Sequence, residues 1–449
     1  MTNFKYIFLV FLSLFVFVLV LGNKEKRAIQ IMIFCLPIAV PFQTDKFALG
    51  VNGLLIFTIW FAQRIKYSQH ISKKVLPTKK TLTKVLVYFL LSGFLIGLMN
   101  LSEITLVDNF TPQTPLLQLI SYSIYLLSMI FFVDILIKYK DDHIFHMKLI
   151  NIFTYSIFLQ IIIVSLPFIG LGSLYDTIFM KSKFMGTDGQ IGAIVHRFSG
   201  TIGDYELTVD YSLIIISLAF ISYFRQRELL SIITMSLGAV FALMSGTRSF
   251  LVIMAIFLII IIFYNLPVLR IKKSLYFLLG TGLIIFSGYY VYTELLQGEL
   301  IFERWERAYI LFQSGYFLQA SNRDILSAIP DVLNYVGILG GGSFYFNVIN
   351  NNEMVSHNLL LAAYAKYGVP GVGAILFLFF YFGFKLVKKI SITTGKYRNE
   401  LVVFLALLVS LFAQQMKISA LRILPIMLVY CFLFILIFFA LNRNEQKRT

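Results

Sequence analysis

Long unbroken apolar runs recur along this chain, and they constrain its fold more than any other feature. A helix needs about 20 apolar residues to cross the hydrocarbon of a bilayer. Runs of that order occupy 85–101, 116–137, 149–171, 208–224, 229–245, 249–266, 274–293, 369–387, 401–415 and 424–440. The N-terminal region adds 6–22, 28–42 and 47–62, the last two being short. The runs lack period-two alternation and are too long for barrel strands. The expected fold is an all-α polytopic membrane protein with about 12–13 transmembrane helices, residues 1–449 forming one integral membrane domain. Composition agrees, because 13% of the residues are charged where a soluble domain has about 25%. A soluble enzyme, a disordered chain and a secreted disulfide scaffold are thereby excluded. Cys35 and Cys431 both sit in apolar runs and say nothing of redox compartment. The first 22 residues lack a small-residue cleavage site and read as a retained first helix, not a signal peptide.

The charges then orient the chain, which carries 38 Lys plus Arg against 22 Asp plus Glu, a net +16. Alternate connections at 23–27, 63–84, 138–148, 225–228, 270–273, 385–400 and 441–449 hold 26 of the bases and six acids. The opposite connections hold 12 bases and 14 acids, and Asp134 and Asp210 fall within spans. The positive-inside rule places the first set in the cytoplasm and the N-terminus outside. The basic excess is thus an orientation signal, and no nucleic-acid partner is expected. His70, His143 and His146 fall in cytoplasmic connections and are expected to be solvated. Two external connections are long, 172–207 and roughly 294–366, the second with short helices and ending in a half-helix. Long loops that are not linkers carry function, so any chemistry should face outward.

Four signals lie on that outer side. Arg197 follows His196 in a Gly-punctuated segment, GTDGQIGAIVHRFSGTIGDYEL. It is either a solvated loop base or a grip on an anionic headgroup. Arg248, in SGTRSF, lies so close to hydrocarbon that it must snorkel or be paired. The long loop contains Glu303, Arg304, Glu306 and Arg307 at helical spacing around Trp305, the pattern of a solvated helix. Arg323 follows Asn322 at the start of an amphipathic stretch, where a cation opposes the helix dipole unless an anion shares the site. Gly340–Gly342 is a flexible turn, or a place where backbone amides approach a phosphate. The fourth signal is SHNLLLAAYAKYGVPGVG. Ser356 can cap a helix from His357 to about Tyr367, with Gly368 and Pro370 as its stop and Lys366 in its last turn. Such a helix is about 16 Å long, half a bilayer, and offers His357, Asn358 and free amides at its start. His is suited to proton transfer near neutral pH, although a lone surface His is the plainer reading. No Walker loop, DxD, His/Cys cluster or Ser nucleophile elbow is present, so neither ATP hydrolysis nor a tight catalytic metal site is expected.

In order, these signals read Arg197-x-x-Gly200, Ser245-x-x-Arg248, Arg323 with Gly340–Gly342, and His357-Asn358 followed after nine residues by Gly368-x-x-Gly371. That layout resembles the O-antigen polymerase/ligase family of bacterial inner-membrane glycosyltransferases over roughly residues 190–390. The resemblance implies a GT-C-like fold in the bacterial cytoplasmic membrane, with the active site facing the periplasm or cell exterior. It implies a metal-independent transfer from a polyprenyl-diphosphate-linked oligosaccharide, without a cofactor. Arg197, Arg248 and Asn358 would hold the diphosphate, and Arg323 and His357 would be catalytic, His357 at the acceptor hydroxyl. Tyr309, Tyr316, Phe344 and Tyr345 either stack on sugars or are interfacial aromatics. The expected activity is polymerisation of surface-polysaccharide repeat units, O-antigen or capsule, alongside a chain-length regulator and a flippase. The alternative is a ligase that passes the glycan to a lipid acceptor. The final motif has ligase spacing, but Leu326 stands where ligases often carry Trp, three residues after the loop Arg. A transporter of lipid-linked oligosaccharide is the alternative from another class, and it would place ionisable residues deep in its helices.

Overall fold

The computed structural model describes residues 2–38, 50–66, 77–101, 113–166, 169, 171, 200–202, 204, 206–226, 229–247, 249–265, 310, 313–314, 332–333, 336–342, 358–417, 419, 421 and 424–443. Among these residues there is no strand. The helices are α1 (Thr2–Leu21), α2 (Glu25–Phe34), α3 (Val51–Lys66), α4 (Pro77–Met99), α5 (Gln113–Ile137) and α6 (His143–Ser165). They continue with α7 (Leu207–Gln226), α8 (Leu229–Met244), α9 (Ser249–Asn265), α10 (Leu359–Ile392), α11 (Gly395–Gln415) and α12 (Leu424–Asn442). Six of them, α4 to α7, α10 and α11, are long and apolar enough to cross a membrane, and four shorter ones are similarly apolar. The chain is an all-α, membrane-embedded protein. The candidate span 274–293 lies outside the described residues.

Several boundaries differ from the hydropathy reading, each for a local reason. The run 28–42 yields only the ten residues of α2, about 15 Å of helix, too short to cross. Beyond it the chain turns at Cys35, and Asn52 donates to the Leu36 carbonyl at 2.9 Å, tying α3 to this corner. α6 begins at His143, six residues before the apolar run at 149, because Asp142 accepts the Phe145 amide at 2.9 Å and caps the helix. That early start draws in His146, which was expected to be solvated. Its ring is buried, stacks on Phe439 with centroids 4.0 Å apart, and bonds the Tyr139 carbonyl at 2.6 Å.

Two compact units emerge. The first comprises Met1–Ser156, Asp324–Lys385 and Gln415–Thr449, and the second Ile157–Arg323 and Leu386–Gln414. In the first unit α12 is the core. Phe432 meets Phe132 and Phe153, Phe434 meets Phe379 and Phe382, and nearly every described side chain from Ile426 to Ala440 is buried. In the second unit α7 has this role, with every side chain from Leu207 to Ser222 buried. α12 is apolar all round, the expected pattern for a helix surrounded by protein, whereas α7 buries Asp210 and several hydroxyls along with its apolar side chains. α1 instead turns Ile7, Phe11, Leu14, Phe15 and Val18 outward, an apolar surface suited to lipid.

Several polar groups in the helices are satisfied locally. Ser92, Ser121, Ser123 and Ser217 each donate to the carbonyl four residues back, at 2.6–2.9 Å. Without water, a hydroxyl in hydrocarbon needs such a bond. Asp134, a charge inside a span, is paired with Arg64 at 3.0 Å, and that guanidinium lies over the Trp60 ring. At the connections assigned to the cytoplasm, Lys26 bonds Asp142 at 2.6 Å, and its donated bond holds that carboxyl below the usual aspartate range. The Phe145 amide adds to the effect.

Candidate functional site

Of the five residues singled out in the sequence, Arg197, Arg248, Arg323 and His357 lie outside the described residues, and Asn358 within them. The loop aromatics Tyr309, Tyr316, Phe344 and Tyr345, the Glu303–Arg307 stretch and Ser356 also lie outside. What the structure does describe is the scaffold on which several of these residues are mounted.

In the first unit that scaffold is a broken helix. α10 is interrupted at Gly368, whose φ of 66° and ψ of −162° are not helical. The chain therefore forms a nine-residue half-helix, Leu359–Tyr367, about 13 Å long, followed by a second helix with Pro370 in its first turn. The half-helix was legible in the sequence, but its cap was not. Asn358, two residues after Ser356, accepts the Leu360 and Leu361 amides on Oδ1 at 2.9 and 3.0 Å. Its Nδ2 donates to the Met416 carbonyl at 3.0 Å, leaving one amide proton for another partner. Two of the amides expected to be open at this helix start are therefore taken.

The far end of the half-helix is held by the glycine turn. Gly341 donates to the Ala365 carbonyl at 2.8 Å and Gly342 to the Lys366 carbonyl at 2.9 Å, while Val369 donates to Ile338 at 2.9 Å. The Gly341 and Gly342 amides were candidates for cradling a phosphate; they cap orphan carbonyls of the half-helix instead. A Cβ on Gly340 would sit 2.7 Å from the Tyr367 nitrogen, and one on Gly342 would be 2.9 Å from the Ile96 carbonyl carbon. Backbone thus packs directly on backbone. Asn100 adds a bond to the Gly341 carbonyl at 3.0 Å, and the Tyr88 hydroxyl one to the Tyr367 carbonyl at 3.1 Å.

Sequence reasoning overlooked the interior of this element. Lys366, treated only as a base in a last turn, is 3% exposed. Its Nζ donates to the Leu421 carbonyl at 2.8 Å and the Tyr122 hydroxyl at 3.1 Å, 4.5 Å from the Tyr122 ring centre. Tyr367 reaches the same hydroxyl at 3.4 Å. The signal was present in LLLAAYAKY, where a lone base follows seven residues without a charge. An ionisable group so placed marks a functional region by default.

In the second unit the mounting is that of the Arg197-x-x-Gly200 pattern. Gly200 has φ 54°, and a Cβ there would collide with Gln160 Oε1. Gln160 accepts the Thr201 amide at 2.9 Å and donates to the Thr201 hydroxyl at 2.5 Å, all of it buried. Asp204 then caps α7 by accepting the Glu206 and Leu207 amides at 2.8 and 3.0 Å. Asp210, buried in the first turn of α7, sits where a helix dipole favours a carboxylate. Gln414 reaches the Glu206 carbonyl at 3.5 Å. A pinned glycine turn leading into a capped, fully buried helix fixes the backbone three residues after Arg197. No group of acidic, His and Cys side chains suited to a metal occurs among the described residues. Compared with protein-family models and with curated proteins, the chain matches none.

Proposed function

We propose that the chain is a polymerase of a bacterial surface polysaccharide. It joins polyprenyl-diphosphate-linked oligosaccharide repeat units at the outer face of the cytoplasmic membrane. The observation that carries the reading is the half-helix, which begins directly after His357-Asn358 and breaks at Gly368, with the glycine turn clamped to its end. An element fixed at both ends holds whatever its first residue carries in a constant position, which a displacement between two large lipid-linked substrates requires.

In this reading Arg197, Arg248 and Arg323 grip the diphosphate, with Asn358 contributing its remaining amide proton. An acceptor hydroxyl oxygen forms the new bond to the anomeric carbon while the bond to the diphosphate oxygen breaks. The electron pair leaves with the diphosphate, where arginine forks stabilise it bidentately, and the hydroxyl proton passes to His357. A sugar diphosphate is already activated, so no nucleotide or cofactor takes part. Purified protein incubated with lipid-linked repeat units should give ladders of increasing length, and His357→Ala should abolish them. Arg323→Lys, which keeps charge but loses the fork, should lose most activity. Single transfer to a lipid acceptor without ladders would establish the ligase instead.

One observation favours a second reading. A broken helix with a buried lysine is also how transporters build sites near the midplane. If a null strain fails to display single lipid-linked units on the outer leaflet, transport is the function and polymerisation is not.

A further inference from the structure

In the second unit α7 and α11 run antiparallel along one shared face. Arg225 pairs with Glu400 at one end. Gln414 donates to the Glu206 carbonyl at 3.5 Å at the other, the end assigned to the exterior. Residues four apart share a helix face, so Asp210 and Ser410 stand opposite one another at the next turn in. Glu206, Asp210, Ser410 and Gln414 thus gather on this face, none more than 4% exposed. Two of their oxygens, Gln414 Oε1 and Ser410 Oγ, have no hydrogen-bond partner among the described residues. Ser410 does not make the bond to the carbonyl four residues back that Ser92, Ser121, Ser123 and Ser217 make. The Gln414 amide is held against Glu206 by its nitrogen, which keeps its oxygen in the same place. Buried oxygens left in this way call for a water or an ion.

Charge decides between the two. Glu206 and Asp210 are like charges at four-residue spacing, and a cation beside both relieves their repulsion, which a water does not. A carboxylate has about four lone-pair directions, so one that serves another partner still has positions for an ion. The negative dipole end of α11 lies at this level, and the positive end of α7 offsets part of the remaining acidic charge. Oxygen donors without His or Cys select a hard cation. Mg²⁺ keeps several waters and Ca²⁺ takes about six to eight oxygens, more than this enclosed group supplies. We infer that Glu206, Asp210, Ser410 and Gln414 bind a sodium ion, which ties α7 to α11 where the Gly200 turn feeds α7. The site goes beyond the proposed function and does not depend on it.

The test is thermal unfolding of the full-length protein in uncharged detergent, with sodium chloride exchanged for choline chloride at constant ionic strength. Raising sodium from about 1 to about 100 mM should raise the unfolding temperature by about 3 °C or more. Gln414→Leu and Ser410→Ala should each lose most of that sodium-dependent rise, whatever their own stability. Ser217→Ala, whose hydroxyl bonds within α7, should keep it. Glu206→Gln replaces either variant that does not fold. Equal unfolding temperatures in sodium and choline overturn the inference. A full sodium response in both Gln414→Leu and Ser410→Ala also overturns it, because the ion then binds elsewhere. A rise given by millimolar calcium and not by sodium overturns the assignment to a monovalent ion.

Discussion

Gly368→Ala is the sharpest perturbation of the half-helix. At φ 66° and ψ −162° the residue lies in a region used almost only by glycine, and an L side chain there costs about 1–3 kcal/mol. The new Cβ would also be 2.6 Å from the Gly340 nitrogen and nearer still to the Ile338 carbonyl oxygen, so the glycine turn must move away. Its withdrawal endangers the bonds from Gly341, Gly342 and Val369, each contributing about 1 kcal/mol. Losing one or two gives a total of about 2–5 kcal/mol, a fall in unfolding temperature on the order of 10 °C. Gly373→Ala is the matched control. It lies in the same helix with nothing within 4 Å of its Cβ, and alanine should be neutral or favourable by up to about 1 kcal/mol. Intrinsic fluorescence during heating in detergent measures both variants, and hydrogen exchange at Gly341 and Gly342 reports the turn itself. A Gly368→Ala protein that melts within 2 °C of wild type, those two amides still protected, would refute this account of the break.

Other expectations are narrower. Asn358→Ala should speed exchange at the Leu360 and Leu361 amides about tenfold, whereas Asn358→Asp, still an acceptor, should keep them slow. Glu400→Ala leaves Arg225, 18% exposed, without its carboxylate and should cost about 3 kcal/mol. Adding Arg225→Ala should recover at least half of that loss, measured by thermal unfolding in a double-mutant cycle. Asp142 has its pKa lowered by Lys26, so its contribution is present above the unfolded value near 3.9 and fades as pH falls through the folded one. Melting temperature against pH should therefore decline less steeply below about pH 4 in Asp142→Asn than in wild type.

What could be read from the sequence follows from which forces act at short range. The apolar runs show directly, because hydropathy sums over consecutive residues, and the break at Gly368-Val-Pro370 shows because glycine and proline act on their own backbone. The start of α6 was missed because Asp142 caps it from outside the apolar run, and a hydropathy scan gives no weight to His143 or His146. The glycine turn was read as open because nothing in Gly340–Gly342 reveals that Ala365 and Lys366 supply the acceptors. Lys366 was read only as a base in the last turn of the half-helix because its partners, Tyr122 and Leu421, are 244 and 55 residues away. Long-range pairings of this kind have no local trace.

The joint between the glycine turn and the half-helix is made of main chain on both sides. Among the described residues, Asn100, Tyr88 and Tyr364 add side-chain bonds only at its margin. Such a hinge pin has no chemical signature beyond the absence of a Cβ at a few places. The Phe, Ile and Leu around it can be exchanged for one another while the pin keeps its shape, and no single-residue adjustment can loosen it by degrees. A chain built around such a joint is free to drift far in sequence while preserving one piece of geometry, and the glycines are where that geometry would be recognised.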